Sequence, residues 1–238
     1  MSLRGDYEGR HCMQKNKTLG DYLPFWKNLT AEQKHLLLSS LQERDYGRGN
    51  IIHSGQDDCI GLIIVTSGQV RVYIVSDEGK ELTLFRLLER DMCLFSASCI
   101  IPSLQFEVMV AAETDLSLLI IPAGVFKALM DESAAVANYT NALMASHFSE
   151  VMWLMDQILN KKLDTRIAAF LLEESLLTSK PTLKLTHEKI ANHLGSIREV
   201  ITRILRYFQE EGLVKLSRGS ITLVDFNRIE ALAESSRK

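Results

Sequence analysis

The 238-residue chain has no apolar run near the roughly 20 residues that a membrane-spanning helix needs. Residues 1–17 are polar throughout, without the apolar stretch of a secretory leader, so a cytosolic protein is expected. Cysteine is scarce: the four present (Cys12, Cys59, Cys93, Cys99) form no C-x-x-C pair. That argues against a zinc site, supplies no disulfide framework and predicts reduced thiols. Six histidines (His11, His35, His53, His147, His187, His193) are scattered, with no H-x-H. A cupin-like metal enzyme, which clusters histidines and a carboxylate in a barrel, finds no support in that spacing. No nucleophile motif or phosphate-binding glycine loop occurs either, so no enzyme is expected. Overall positive charge is lacking too, the net charge being −3. The charge is uneven, however: residues 160–238 hold 14 Lys or Arg against 10 Asp or Glu, and the remainder 13 against 20. Phosphate attraction is local, screened within about 8 Å at physiological salt, so the basic part can meet nucleic acid while the acidic part does not.

What is present is most specific between Leu185 and Leu223. Thr186 is placed to cap a short helix carrying Ile190, Ala191 and Leu194, and Gly195 breaks it. A second helix follows, with the apolar stripe Ile197, Ile201, Ile204, Leu205 and Phe208, and Ser196 and Glu199 at capping-box spacing. Leu213, Val214, Leu216, Ile221 and Leu223 flank a Ser217-Arg218-Gly219-Ser220 turn, as in a β-hairpin. Two helices at a corner followed by a hairpin predict a winged helix-turn-helix. Arg198, Glu199 and Arg203 leave the second helix opposite its apolar stripe, with Arg206 on the next turn. An arginine fork matches guanine O6 and N7, and a carboxylate accepts from cytosine N4, so this set suits base edges in a major groove. The competing reading is a solvated face on a degenerate helix-turn-helix that serves as a protein-interaction module.

Before this stretch the chain changes character twice. From Thr18 to about residue 121 a short helix starting at Thr30 precedes alternating runs punctuated by glycine, including Ile60–Val65, Val70–Val75, Glu81–Leu88 and Leu116–Ile121. Six or more short strands predict an antiparallel barrel or jelly roll. After Pro122 the pattern turns helical, and Ala134 to Leu159 contains neither proline nor glycine. Met144, Phe148, Val151, Met155 and Ile158 there fall at spacings of four, three, four and three, a coiled-coil seam for a homodimer. A helix of about 26 residues spans roughly 39 Å, longer than its own barrel needs. Asn160-Lys161-Lys162 reads as a hinge, and Asp164 as the cap of the next helix. The expected fold class is α+β, divided into an N-terminal arm (1–17), an effector-sensing β-barrel (18–133), a dimerisation helix with hinge (134–160) and the winged helix-turn-helix (161–238).

This order resembles the Crp/Fnr family of bacterial transcription regulators across essentially the whole chain. The segment LTHEKIANHLGSIREVITRILRYFQEEGLV carries the resemblance most specifically, and the glycine-spaced run GNIIHSGQDDCIGLIIVTSGQVRVYIV supports it. The resemblance implies a cyclic-nucleotide-binding-like barrel and a homodimer on double-stranded DNA, with RNA polymerase as a partner if the protein activates. It also implies that Arg198, Glu199 and Arg203 read TGTGA-like half-sites of a palindrome. Thr186 and Ser196 then sit near the DNA backbone, with Lys215 and Arg218 as phosphate candidates on the wing. The cyclic-nucleotide branch places a Gly-Glu pair and an Arg-Ser/Thr pair around ribose and phosphate, where this sequence has Leu94-Phe95 and Phe106-Glu107. A carboxylate there repels an anion, so cyclic AMP is not an expected effector. Only Cys12 is available near the N-terminus for the family's iron-sulfur cluster, which is therefore not expected. For haem the conceivable axial donors are His11, Cys12, His53 and His147, each assigned a surface or packed role instead. Cys93, Leu94, Phe95, Cys99 and Phe106 form a candidate pocket for an unidentified small-molecule effector, or plain core. Cys93 and Cys99 are thiol sensors or buried filler on the same evidence.

Overall fold

A computed structural model of the chain describes residues 19–55, 59–100 and 107–234, the side chains of 98–100 excepted. It divides into two compact units: one of the described residues up to Val72 with Phe85–Phe148, the other of Tyr73–Leu84 with the chain from Ser149.

In the first unit, Thr30 opens helix α1 (Ala31–Ser40) with the capping box its sequence predicts. The Thr30 hydroxyl accepts from the Gln33 N–H, and the Gln33 side chain accepts from the Thr30 N–H. Eight strands follow in the chain, β4 and β5 running partly into the second unit: β1 (Gln42–Tyr46), β2 (Ile51–Ser54), β3 (Leu62–Ser67), β4 (Val70–Val75), β5 (Glu81–Leu87), β6 (Met92–Cys93), β7 (Met109–Ala112) and β8 (Leu116–Ile121). They form two four-stranded sheets, β1-β8-β3-β6 and β2-β7-β4-β5. Strand β8 pairs antiparallel with both β1 and β3, setting Ile63 opposite Ile120 and Val65 opposite Leu118. Leu62, Ile64 and Ile121 gather instead with Leu37, Phe126, Leu129 and Val136 of the helices, so alternation along one strand feeds two apolar layers. Gly61 is obligatory at the start of β3: its φ is +126°, and a Cβ would collide with the Ile121 carbonyl.

Helix α2 (Ala123–Glu132) begins at Pro122, and α3 (Ala134–Asn160) runs 27 residues, roughly 40 Å. Val136, Thr140 and His147 are its buried positions.

The second unit has its own core. Helix α4 (Leu163–Thr178) packs against α7 (Phe226–Glu234). Between them in sequence come α5 (His187–Leu194), α6 (Arg198–Glu210) and a three-stranded sheet of order β10-β11-β9, from β9 (Thr182–Leu183), β10 (Val214–Ser217) and β11 (Ser220–Leu223). Ile167, Leu171, Ile190, Ile201, Leu205, Phe208, Ile221 and Ile229 are all at most 1% exposed and form one cluster. Asp164 is not a cap as expected: Lys162 holds that position, and Asp164 lies inside the first turn, accepting from the Thr165 N–H. The third strand β9 and the helix α7 extend the expected wing.

Candidate nucleic-acid interface

The corner between α5 and α6 is built by three local choices. Thr186 caps α5, its hydroxyl accepting from the Lys189 N–H at 3.1 Å. Gly195 closes α5 in the left-handed conformation (φ +68°), with its N–H on the Ala191 carbonyl. Arg166 of α4 donates to the Leu194 carbonyl at 2.9 Å, satisfying one of the acceptors that a helix C-terminus leaves open. Within the same unit, His193 is buried between the Phe170 ring, 5.0 Å away, and the Thr83 hydroxyl, 2.9 Å from its Nδ1. Leu82 forms an isolated antiparallel bridge with Leu194.

Helix α6 starts one residue later than its sequence suggests. Ile197 is the N-cap and makes no side-chain capping bond, so the Ser196–Glu199 capping box does not form. Nor does Ile197 join the apolar stripe; it is 45% exposed, while Ile201, Leu205 and Phe208 are buried. The reason is steric: the left-handed Gly195 leaves Ser196 and Ile197 in the connection, outside helical geometry, so the stripe begins at Ile201.

Packing of that stripe turns Arg198, Glu199, Arg203 and Arg206 outward, and all four are exposed. Among the described residues, none of the three arginines takes part in an ion pair. Thr186, Lys215 and Arg218 are exposed as well, and Ser196 is partly exposed. Arg218 and Gly219 make the tip of the β10–β11 hairpin, where Ser217 pairs with Ser220. Between the two helices lies a feature the sequence does not advertise. His187 Nδ1 is 2.8 Å from the Thr202 hydroxyl, which itself lies 2.8 Å from the Arg198 carbonyl. Burial, then Arg198, then Arg206, push the His187 imidazole below its ordinary value of 6.5.

Of the candidate effector pocket, Phe106 lies outside the described residues, as does the side chain of Cys99. Cys93 and Leu94 are buried, Leu94 within the core shared with the helices. Burial raises the Cys93 thiol, which lowers its thiolate fraction and its reactivity. Phe95 borders a ring stack in which His147 of α3 lies 4.4 Å from Phe85 at an interplanar angle of 7°. His147 Nε2 also reaches the Met92 carbonyl at 3.3 Å, which gives it a packed role. The expectation of reduced thiols fails at Cys59, which is disulfide-bonded. Sequence spacing carries no record of which cysteines the fold brings together. Among the described residues no three His, Cys, Asp or Glu converge as a metal site, and no helix is long and apolar enough to cross a membrane.

On helix α3, Phe148, Met155 and Ile158 of the predicted seam are exposed, Val151 is half-buried, and Met144 packs against the first unit's core. Met152, Trp153 and Leu159 are exposed beside them.

Comparison with known proteins agrees with this architecture. Residues 165–232 match the Crp-like helix-turn-helix domain, and residues 43–133 match the cyclic nucleotide-binding domain. The cyclic AMP receptor protein of Thermus thermophilus is 28% identical over 210 residues, covering 88% of this chain and 96% of that protein. The fumarate and nitrate reduction regulatory protein of Salmonella typhimurium is 26% identical over 200 residues, or 80% and 78% of the two chains. The crystal structure of a Crp/Fnr-family transcriptional regulator from Eubacterium rectale superposes with a TM-score of 0.89 at 58% identity, covering 90% of this chain and all of that one. With the exposed basic helix, its cap and corner, and both domain matches in hand, the chain belongs to the Crp/Fnr family of DNA-binding transcription regulators.

Proposed function

We propose that the protein acts as a homodimer on a palindrome of TGTGA-like half-sites, under the control of a small-molecule or redox signal other than cyclic AMP. The observation that carries this reading is the outward set Arg198, Glu199 and Arg203, held by the buried Ile201, Leu205 and Phe208 beneath it. Arg198 and Arg203 suit guanine, and Glu199 suits the cytosine amino group opposite. Thr186, Ser196, Lys215 and Arg218 are the backbone contacts that fix register without reading sequence. Exposed apolar side chains along α3 support the dimer. Phe148, Met152, Met155 and Leu159 recur at spacings of four, three and four, a strip that a second copy covers by coiled-coil packing. Such a dimer presents two recognition helices to half-sites about one turn of duplex apart.

The barrel is the natural sensor. Phe95, Phe85 and His147 form an aromatic cluster that reaches α3, and such surroundings favour an apolar or aromatic effector over a cyclic phosphate. The protein works in the cytoplasm, with RNA polymerase as a further partner where it activates. Arg198→Ala tests the base-reading role: the change should cost about 1–3 kcal/mol on the intact palindrome and little on random duplex. Equal losses on both would remove Arg198 from the base readers. Selection of duplexes from a random pool by the purified protein, with and without candidate small molecules, identifies the operator and the signal together.

A further inference from the structure

Histidine 187 stands over one stripe of the recognition helix. Arg198, Thr202 and Arg206 are four residues apart, hence on one face of α6, and the imidazole of α5 bonds to the middle one. The Thr202 hydroxyl has a single proton to give. Its contact with the Arg198 carbonyl, which only accepts, uses that proton, and Nδ1 of His187 then supplies the hydrogen of the 2.8 Å contact between ring and hydroxyl. The second ring nitrogen, Nε2, is left as a lone pair in the neutral ring. The same two bonds persist unchanged when Nε2 gains a proton, so the network accepts an imidazolium without rearrangement.

Resting on the DNA-binding reading above, we propose that His187 is a further DNA-backbone contact that takes up a proton as the protein binds. A phosphate oxygen has only lone pairs to offer, and a neutral Nε2 meets it acceptor to acceptor. The protonated ring meets it as a charge-assisted hydrogen bond instead. In the free protein the α6 arginines oppose protonation of the ring. Arg198 and Arg206 face it from α6, Glu188 and Lys189 follow it on α5, and α4 brings Arg166 to the other end of α5 at Leu194. Burial and the two arginines depress the imidazole, which is therefore neutral at pH 7. Duplex phosphates neutralise the arginines' field and raise the imidazole again. Because the complex binds the proton more tightly than the free protein does, affinity must rise as pH falls.

The test is anisotropy titration of the full chain, at fixed low salt between pH 7.5 and 5.5. The two probes are a duplex carrying inverted TGTGA half-sites and its scrambled counterpart. Wild-type affinity should increase toward pH 5.5 on both probes, by up to about tenfold per protomer for each unit that binding raises the imidazole. His187→Gln should flatten the profile, and His187→Lys, with a fixed charge, should be flat and at least as tight as wild type at pH 7.5. Salt-sensitive binding with no wild-type pH slope, or a slope retained in His187→Gln, overturns the proposal. A slope on both probes without preference for the palindrome sustains His187 and defeats the base-reading assignment. No binding to either duplex defeats both.

Discussion

Ile201 is fully buried beneath the residues that face outward on α6, and its replacement shows how much of the interface depends on packing. Ile201→Ala should destabilise the C-terminal unit by about 2–5 kcal/mol, read as a lowered urea midpoint, and should weaken binding to every duplex because the arginines lose their support. Residues of this kind were legible in advance. Thr186 and Gly195 begin and end α5 through bonds within four residues of themselves, so sequence pattern finds them. The capping-box spacing of Ser196 and Glu199 puts the start of α6 one residue too early, because the conformation of Gly195 decides where helical geometry resumes. His187 was not legible as more than one scattered histidine, since its partner Thr202 lies fifteen residues away on another helix.

At the scale of elements, periodicity gave the long helix and the barrel strands, but it could not say which apolar stripe of α3 serves the chain's own core. Met144 goes inward, whereas Phe148, Met152, Met155 and Leu159 stay exposed. Met155→Glu should therefore leave the single chain folded while converting the proposed dimer to monomers by light scattering, with specific binding lost alongside. A dimer of unchanged strength would remove α3 from the interface. Two residues are too few for alternation to register strand β9, which is fixed by pairing Leu183 with Ile221. The wing's tip makes a separate prediction. Arg218→Ala should weaken binding about equally on all sequences and reduce the slope of log affinity against log salt by about 1 per protomer, since a phosphate contact carries no sequence information.

For the whole molecule, the formal charge of −3 conceals a basic C-terminal part, and only the division of the chain makes DNA binding compatible with an acidic total. Fold class and family were within reach of the sequence because barrel, long helix and winged helix-turn-helix follow one another in a recognisable order. The signal was not, because no residue pattern in the chain specifies an effector, and the ring contacts among Phe85, Phe95 and His147 join residues far apart in sequence. The most direct measurement is equilibrium binding of the purified protein to a TGTGA palindrome and to its scrambled counterpart at about 0.15 M salt. Guanidinium groups held outward over an aliphatic floor, in both copies of the proposed dimer, predict a preference for the palindrome of at least about a thousandfold. Equal affinity for the two duplexes would contradict that account.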